Sequence, residues 1–142
     1  MVDEDLLMEF KEKLEAGPEA AEIDDTLKAF KLYEQLAEVS EELREELEDM
    51  DIAVQMVITD KDKKFWVKVQ EGNMEYGEGE LDNPSFTFSS NFETGAGMLF
   101  GKVDATSAYM AGDITVEGNL QDAMAFQEII ELALLAFEDE VE

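Results

Sequence analysis

The sequence predicts an α+β domain: a five-stranded, mainly antiparallel sheet covered on one face by helices, with a helical segment ahead of it. Three observations predict this. Apolar residues recur every three or four positions from Leu6 to Met50. At Asp51 the period drops to two and holds through four short runs separated by turn residues. Beyond Asn91 the helical spacing returns, interrupted by the strand-like Ile114-Thr115-Val116.

Taken in order, Leu6, Leu7, Phe10 and Leu14 form one apolar stripe, so a helix runs from Asp3 to Gly17-Pro18, with Gly as its exit and Pro starting the next. Ile23, Leu27, Phe30, Tyr33 and Leu36 define that second helix. Ser40 is an N-cap for a third, which carries Leu43, Leu47 and Met50. The acid-rich outer faces of these helices read as solvated surface. Ile52, Val54, Met56 and Ile58 then alternate as a strand, and the polar run 59–64 turns the chain. Phe65, Val67 and Val69 resume the alternation, Glu71-Gly72-Asn73 turns again into Met74 and Tyr76, and residues 85–89 follow Asp82-Asn83-Pro84 as a fourth run. Their hairpin-like spacing predicts an antiparallel meander with one buried face. Residues 91–100 read as a helix closed at Gly101, residues 105–111 as a short helix stopped by Gly112, and residues 120–137 as a final helix entered through Gly118-Asn119.

Composition narrows function by exclusion. The 142 residues include 37 acidic and 10 basic side chains, a net charge of −27, with neither cysteine nor histidine. Phosphate neutralisation requires clustered Lys and Arg, so no nucleic acid is expected as a partner, and an anionic membrane would repel the chain. Thiol and imidazole chemistry, disulfides and Cys/His zinc sites are excluded. No metal, cofactor or catalytic residue is expected, since no nucleophile–base pair stands out. The 45% of hydrophobic residues is ordinary for a globular domain. With no signal segment at the N-terminus and no apolar run of about 20 residues, the expected location is cytoplasmic. The charge is even along the chain: residues 1–51 hold 19 acids and 5 bases, residues 52–142 hold 18 and 5. Such a coat suits solubility or high salt, with a basic protein partner as the weaker alternative.

The final helix is the most informative element. From Ile129 to Phe137 its apolar residues face nearly all round, wider than the ~100° stripe a surface helix needs. Its second side must be covered by more core, by a homodimer partner, or by an apolar ligand. Eight Met and nine Phe lean toward an adaptable apolar pocket. The glycines of Gly95-Ala96-Gly97-Met98-Leu99-Phe100-Gly101 end a helix instead of opening one, Val103 follows Gly101-Lys102, and Asp60-Lys61-Asp62 lacks the glycine and distal glutamate of a calcium loop. Phosphate and Ca²⁺ sites are therefore not expected.

Leu99-Phe100-Gly101-Lys102-Val103-Asp104, followed by Ala108-Tyr109-Met110-Ala111-Gly112-Asp113-Ile114-Thr115-Val116-Glu117-Gly118-Asn119, resembles the signature of the sterol carrier protein-2 family, in which a helix end, a turn and a strand lead into the last helix. The resemblance spans about residues 50–137, so that residues 51–142 form a family-like core within a single domain 1–142 and residues 1–50 an N-terminal helical extension. It implies an apolar tunnel for sterols, fatty acids or acyl-CoA, and the expected function is non-catalytic binding or transfer of a fatty acyl, sterol-like or isoprenoid lipid. A tunnel lined by Met56, Phe86, Phe88, Met98, Phe100, Met110, Phe126, Ile130, Leu134 and Phe137 would supply the contact, and about ten buried methylenes at ~0.8 kcal/mol each are enough for micromolar binding. Asp113, Thr115 and Glu117 stand where the family often has lysine, and Asn119 where it has Asp, which argues against docking on anionic membranes or recognising CoA phosphates. The alternative is a dimerisation or accessory module for a lipid-modifying enzyme, its tunnel filled by side chains.

Overall fold

The computed structural model describes residues 2–17 and 21–141. Pro18, expected to start the second helix, lies outside the described residues. In the first helix, α1 (Glu4–Ala16), the Asp3 carboxylate accepts from the backbone N–H groups of Asp5 and Leu6, satisfying donors that have no partner inside the helix. Gly17, at φ +98°, closes it. The second helix, α2 (Asp25–Val39), begins later than the spacing of Ile23 predicts. The buried Asp25 carboxylate organises that start, accepting from the Glu22 N–H at 2.7 Å and meeting Lys13 of α1 at 3.4 Å. Ser40 caps α3 (Glu41–Glu48) by accepting from the Leu43 N–H, as its position in the sequence predicts.

Five strands follow the change of period: β1 (Asp51–Ile58), β2 (Lys63–Gln70), β3 (Asn73–Glu78), β4 (Phe86–Ser90) and, later in the chain, β5 (Ile114–Gly118). They form one open sheet in the order β3-β2-β1-β4-β5. The expected four-strand meander is corrected here. β4 does not continue beyond β3 but crosses to the free edge of β1 and pairs with it in parallel, Val54 opposite Phe86 and Met56 opposite Phe88; the other three pairings are antiparallel. The cause is side-chain hydrogen bonding that a period-two pattern does not reveal. Gln55, buried on the face of β1 away from the helices, donates to the carbonyls of Phe65 and Gly79 and accepts from the Leu81 N–H at 2.7 Å. This pegs the chain after β3 across the sheet, and Ser85 then bonds the Ala53 N–H through its hydroxyl and the Ala53 carbonyl through its own N–H.

The remaining helices are α4 (Phe92–Leu99), α5 (Ala105–Ala111) and α6 (Leu120–Val141). Asn91 and Asp104 cap the first two, and Asn119 accepts from the N–H groups of Gln121 and Asp122 at the start of the third. One face of the sheet, bearing Ile52, Val54, Met56, Ile58, Phe65, Val67, Val69, Phe86 and Phe88, is buried. α2 and α3 lie over β2 and β3, while α6 reaches β4 and β5. The second apolar side of α6 is covered by α2 and α3, where Ile129 and Ala133 are fully buried. α1 joins this layer through Phe10, whose ring lies 4.8 Å from that of Phe100 and 4.9 Å from that of Phe137. Among the described residues no helix is long and apolar enough to cross a membrane.

Candidate functional site

The helices that cover β2 and β3 pack tightly, whereas those near β4 and β5 leave a cavity of about 250 Å³. Its floor is a register row across three strands, Met56 of β1 beside Phe88 of β4 beside Val116 of β5, with Phe86 one pleat along. Gly95, Met98 and Leu99 of α4 close one end, Ala105, Thr106 and Tyr109 of α5 form one wall, and Leu120, Ala123, Met124, Phe126, Gln127 and Ile130 of α6 form the other. Phe86 and Phe126 meet at 6.2 Å between ring centres.

The space exists because small residues hold positions where larger ones would fill it. Ala105 and Ala123 add only a methyl each to facing walls. A Cβ at Gly95 would stand 3.1 Å from the Ser90 hydroxyl, so glycine lets α4 approach the sheet. Two glycines set the path of the surrounding chain. Gly118, at φ +110°, would place a Cβ 2.7 Å from the Ser85 carbonyl oxygen, and Gly101, at φ +75°, would place one 2.7 Å from Leu134.

The cavity opens between α5 and the start of α6, where Tyr109 is 46% exposed, Leu120 51% and Met124 68%. Thr106, Tyr109 and Gln127 are its polar lining, and the Gln127 amide nitrogen donates to Glu131 at 3.2 Å. Beside the mouth, the Asp104 carboxylate is held below the usual range by the Ser107 backbone N–H and hydroxyl, and stays charged. At the back, the buried Tyr33 hydroxyl of α2 donates to the Leu99 carbonyl, tying α4 to the N-terminal helices. Burial pushes the Tyr33 phenol far above its ordinary range.

Of the ten residues expected to line a tunnel, Met56, Phe86, Phe88, Met98, Phe126 and Ile130 come together here. Four do not line it. Phe100 and Phe137 are drawn into the cluster around Phe10, Leu134 packs against Gly101, and Met110 points to solvent at 81% exposure. Sequence reasoning missed the small and polar lining and the mouth. A signal for part of it exists, since Leu120, Ala123, Met124, Gln127 and Ile130 follow one another at helical spacing on α6.

The sequence profile of the SCP-2 sterol transfer family matches residues 30–131, well over half of the chain. The chain belongs to this family. The match begins inside α2, earlier than the resemblance about residues 50–137 anticipates, so α3 falls within the SCP-2 pattern and α1 precedes it. Comparison with curated proteins finds no match. Solved structures with the same fold include the ubiquinone synthesis protein UbiJ-SCP2 (TM-score 0.58, 14% identity, covering 75% of this chain and 85% of that one). The sterol carrier protein domain 2 of Helicoverpa armigera gives a TM-score of 0.57 at 22% identity, covering 75% and 86%. A third is the inverting sec-alkylsulfatase Pisa1 from Pseudomonas sp. (0.55, 16%), where 63% of this chain spans only 14% of the enzyme. SCP-2 domains bind hydrophobic lipids and are typically non-catalytic, so membership points to lipid binding or transfer in general terms.

Proposed function

We propose that the chain holds one aliphatic or isoprenoid lipid in the cavity between the β1–β4–β5 floor and helices α4, α5 and α6, and carries it without altering it. The supporting observation is an apolar cavity opening between α5 and α6, in a chain of the SCP-2 family. Its volume is less than twice the roughly 150 Å³ that accommodates benzene in an engineered core. A long chain therefore keeps part of its length outside, against Tyr109, Leu120 and Met124.

Native mass spectrometry of gently purified protein, with displacement of the neutral dye Nile Red by added lipid, tests the reading. The expected result is one lipid per chain and micromolar displacement. Absence of both bound lipid and dye binding overturns it. A second reading, favoured by the exposure of Leu120, Met124 and Leu135 along α6, is that this helix seats a second copy or an enzyme of lipid modification. The UbiJ-SCP2 protein, which shares the fold, is named for ubiquinone synthesis. Light scattering of Leu135→Glu separates the two: loss of a dimer with dye binding intact supports the interface.

A further inference from the structure

We infer that the cavity selects lipids with an uncharged head, an alcohol, ester or quinone, over fatty-acid anions and acyl-CoA. The inference rests on the lipid-binding reading and adds to it the chemistry of the head.

The argument starts from where the charges lie. None of the ten basic side chains lines the cavity. Nine of them belong to residues 11–68, on α1, α2, α3, the β1–β2 turn and β2, and the tenth, Lys102, is in the connection between α4 and α5. From residue 103 to the end the chain has ten acids and no base. That stretch supplies α5, β5 and α6, which form both walls and the mouth. Four of the lysines are also engaged by carboxylates, Lys13 with Asp25, Lys28 with Glu9, Lys63 with Glu78 and Lys64 with Glu80.

A carboxylate or phosphate drawn into the cavity would lose its water and find no cation in exchange. Left at the mouth, it would sit near Asp104, which caps α5, and Asp122, in the first turn of α6. Selection by such repulsion needs no special contact with the preferred ligand. A neutral head meets a better environment. Thr106 and Tyr109 offer hydroxyls near the opening, and the Gln127 side-chain carbonyl can accept while its amide nitrogen donates to Glu131.

The test is competition for Nile Red between tetradecanol, methyl myristate and myristate on the full chain, with far-ultraviolet circular dichroism reporting the fold at each condition. The two neutral lipids should displace dye on the order of tenfold better than myristate near 0.1 M salt. The gap should shrink toward twofold near 1 M, as the Debye length falls from about 10 to about 3 Å. Met124→Lys, at a lining position 68% exposed, should narrow the gap at low salt by strengthening displacement by myristate relative to tetradecanol. Equal displacement by myristate and tetradecanol at low salt overturns the inference and leaves lipid binding intact. So does a gap that ignores both salt and Met124→Lys. Failure of every lipid and of the dye itself overturns the lipid-binding reading, and this inference with it.

Discussion

Replacing Tyr33 with Phe isolates one buried hydroxyl at the joint between α2 and the cavity wall. The ring stays, and with it the contact to Phe10 at 6.2 Å between centres. What is lost is the donor to the Leu99 carbonyl. Leu99 is the last residue of α4, and the Val103 N–H that would continue the helix bonds Gly97 instead, so the carbonyl is left buried without its partner. An orphaned buried acceptor costs about 1–3 kcal/mol. At roughly 4 °C per kcal/mol for a chain of this size, the melting temperature should fall by about 4–12 °C near neutral pH.

The same hydroxyl has a signature in alkali. In the unfolded chain a tyrosine titrates near pH 10, whereas burial holds Tyr33 far higher in the fold. As pH rises, the unfolded state gives up its proton first. The native state keeps this contribution in full below about pH 10 and loses about 1.4 kcal/mol per unit above it. Phe has no proton to lose, so the deficit of Tyr33→Phe should narrow by about 1.4 kcal/mol between about pH 8 and about pH 11. Tyr76, pushed up to about 12 by burial and by its hydrogen bond to Glu34, titrates in both proteins and cancels. Urea titrations followed by circular dichroism at the two pH values measure both quantities. A neutral-pH difference below about 0.3 kcal/mol, or parallel pH profiles, would refute the reasoning.

Three further outcomes are expected. Ala123→Phe should fill the cavity and weaken lipid displacement of Nile Red on the order of tenfold, with a thermal midpoint within about 3 °C of wild type, because the new ring is buried in space already present. Gly118→Ala should cost about 2–4 kcal/mol in urea, since a Cβ at φ +110° would press 2.7 Å from the Ser85 carbonyl oxygen and 2.9 Å from the Phe86 Cα, both backbone atoms that have nowhere to move. Calorimetry from about 0.1 to about 1 M salt should show a rising midpoint, because the net charge of −27 repels itself less as the Debye length contracts; a flat curve would mean that the coat is not destabilising.

The helical and strand segments were legible because each buries one side, and burial writes its period into the chain. The short helix α5 runs Ala105–Ala111, the bounds read from the sequence with Gly112 as its stop. The partner of β4 was not legible: alternation says that a strand has an inside face, not which neighbour it takes, and the determinant is the amide of Gln55 reaching one group in β2 and two in the loop after β3. The cavity was half legible for a related reason. Large apolar side chains mark buried surface, so Met56, Phe88 and Ile130 were found, but a void is made where side chains stop. Gly95, Ala105 and Ala123 carry that information by being small. Phe100 and Phe137 look identical in type to Phe86 and Phe126, but they pack against Phe10 of α1, while Phe86 and Phe126 meet at the cavity.

The parallel seam between β1 and β4 bears on how the molecule assembles as well as on its final shape. β1 can zip onto β2, and β2 onto β3, as local hairpins within microseconds. Its other edge must wait until residues 59–85 have been made and laid across the sheet, because no shorter path brings β4 alongside in the same direction. During that interval the central strand, with Val54, Met56 and Ile58 on one side, presents unpaired backbone groups to any passing chain. Closure of this seam is then the slow, non-local step of folding. The carboxylates that cover the chain from end to end have a role before the native state exists, since they keep such half-built molecules apart.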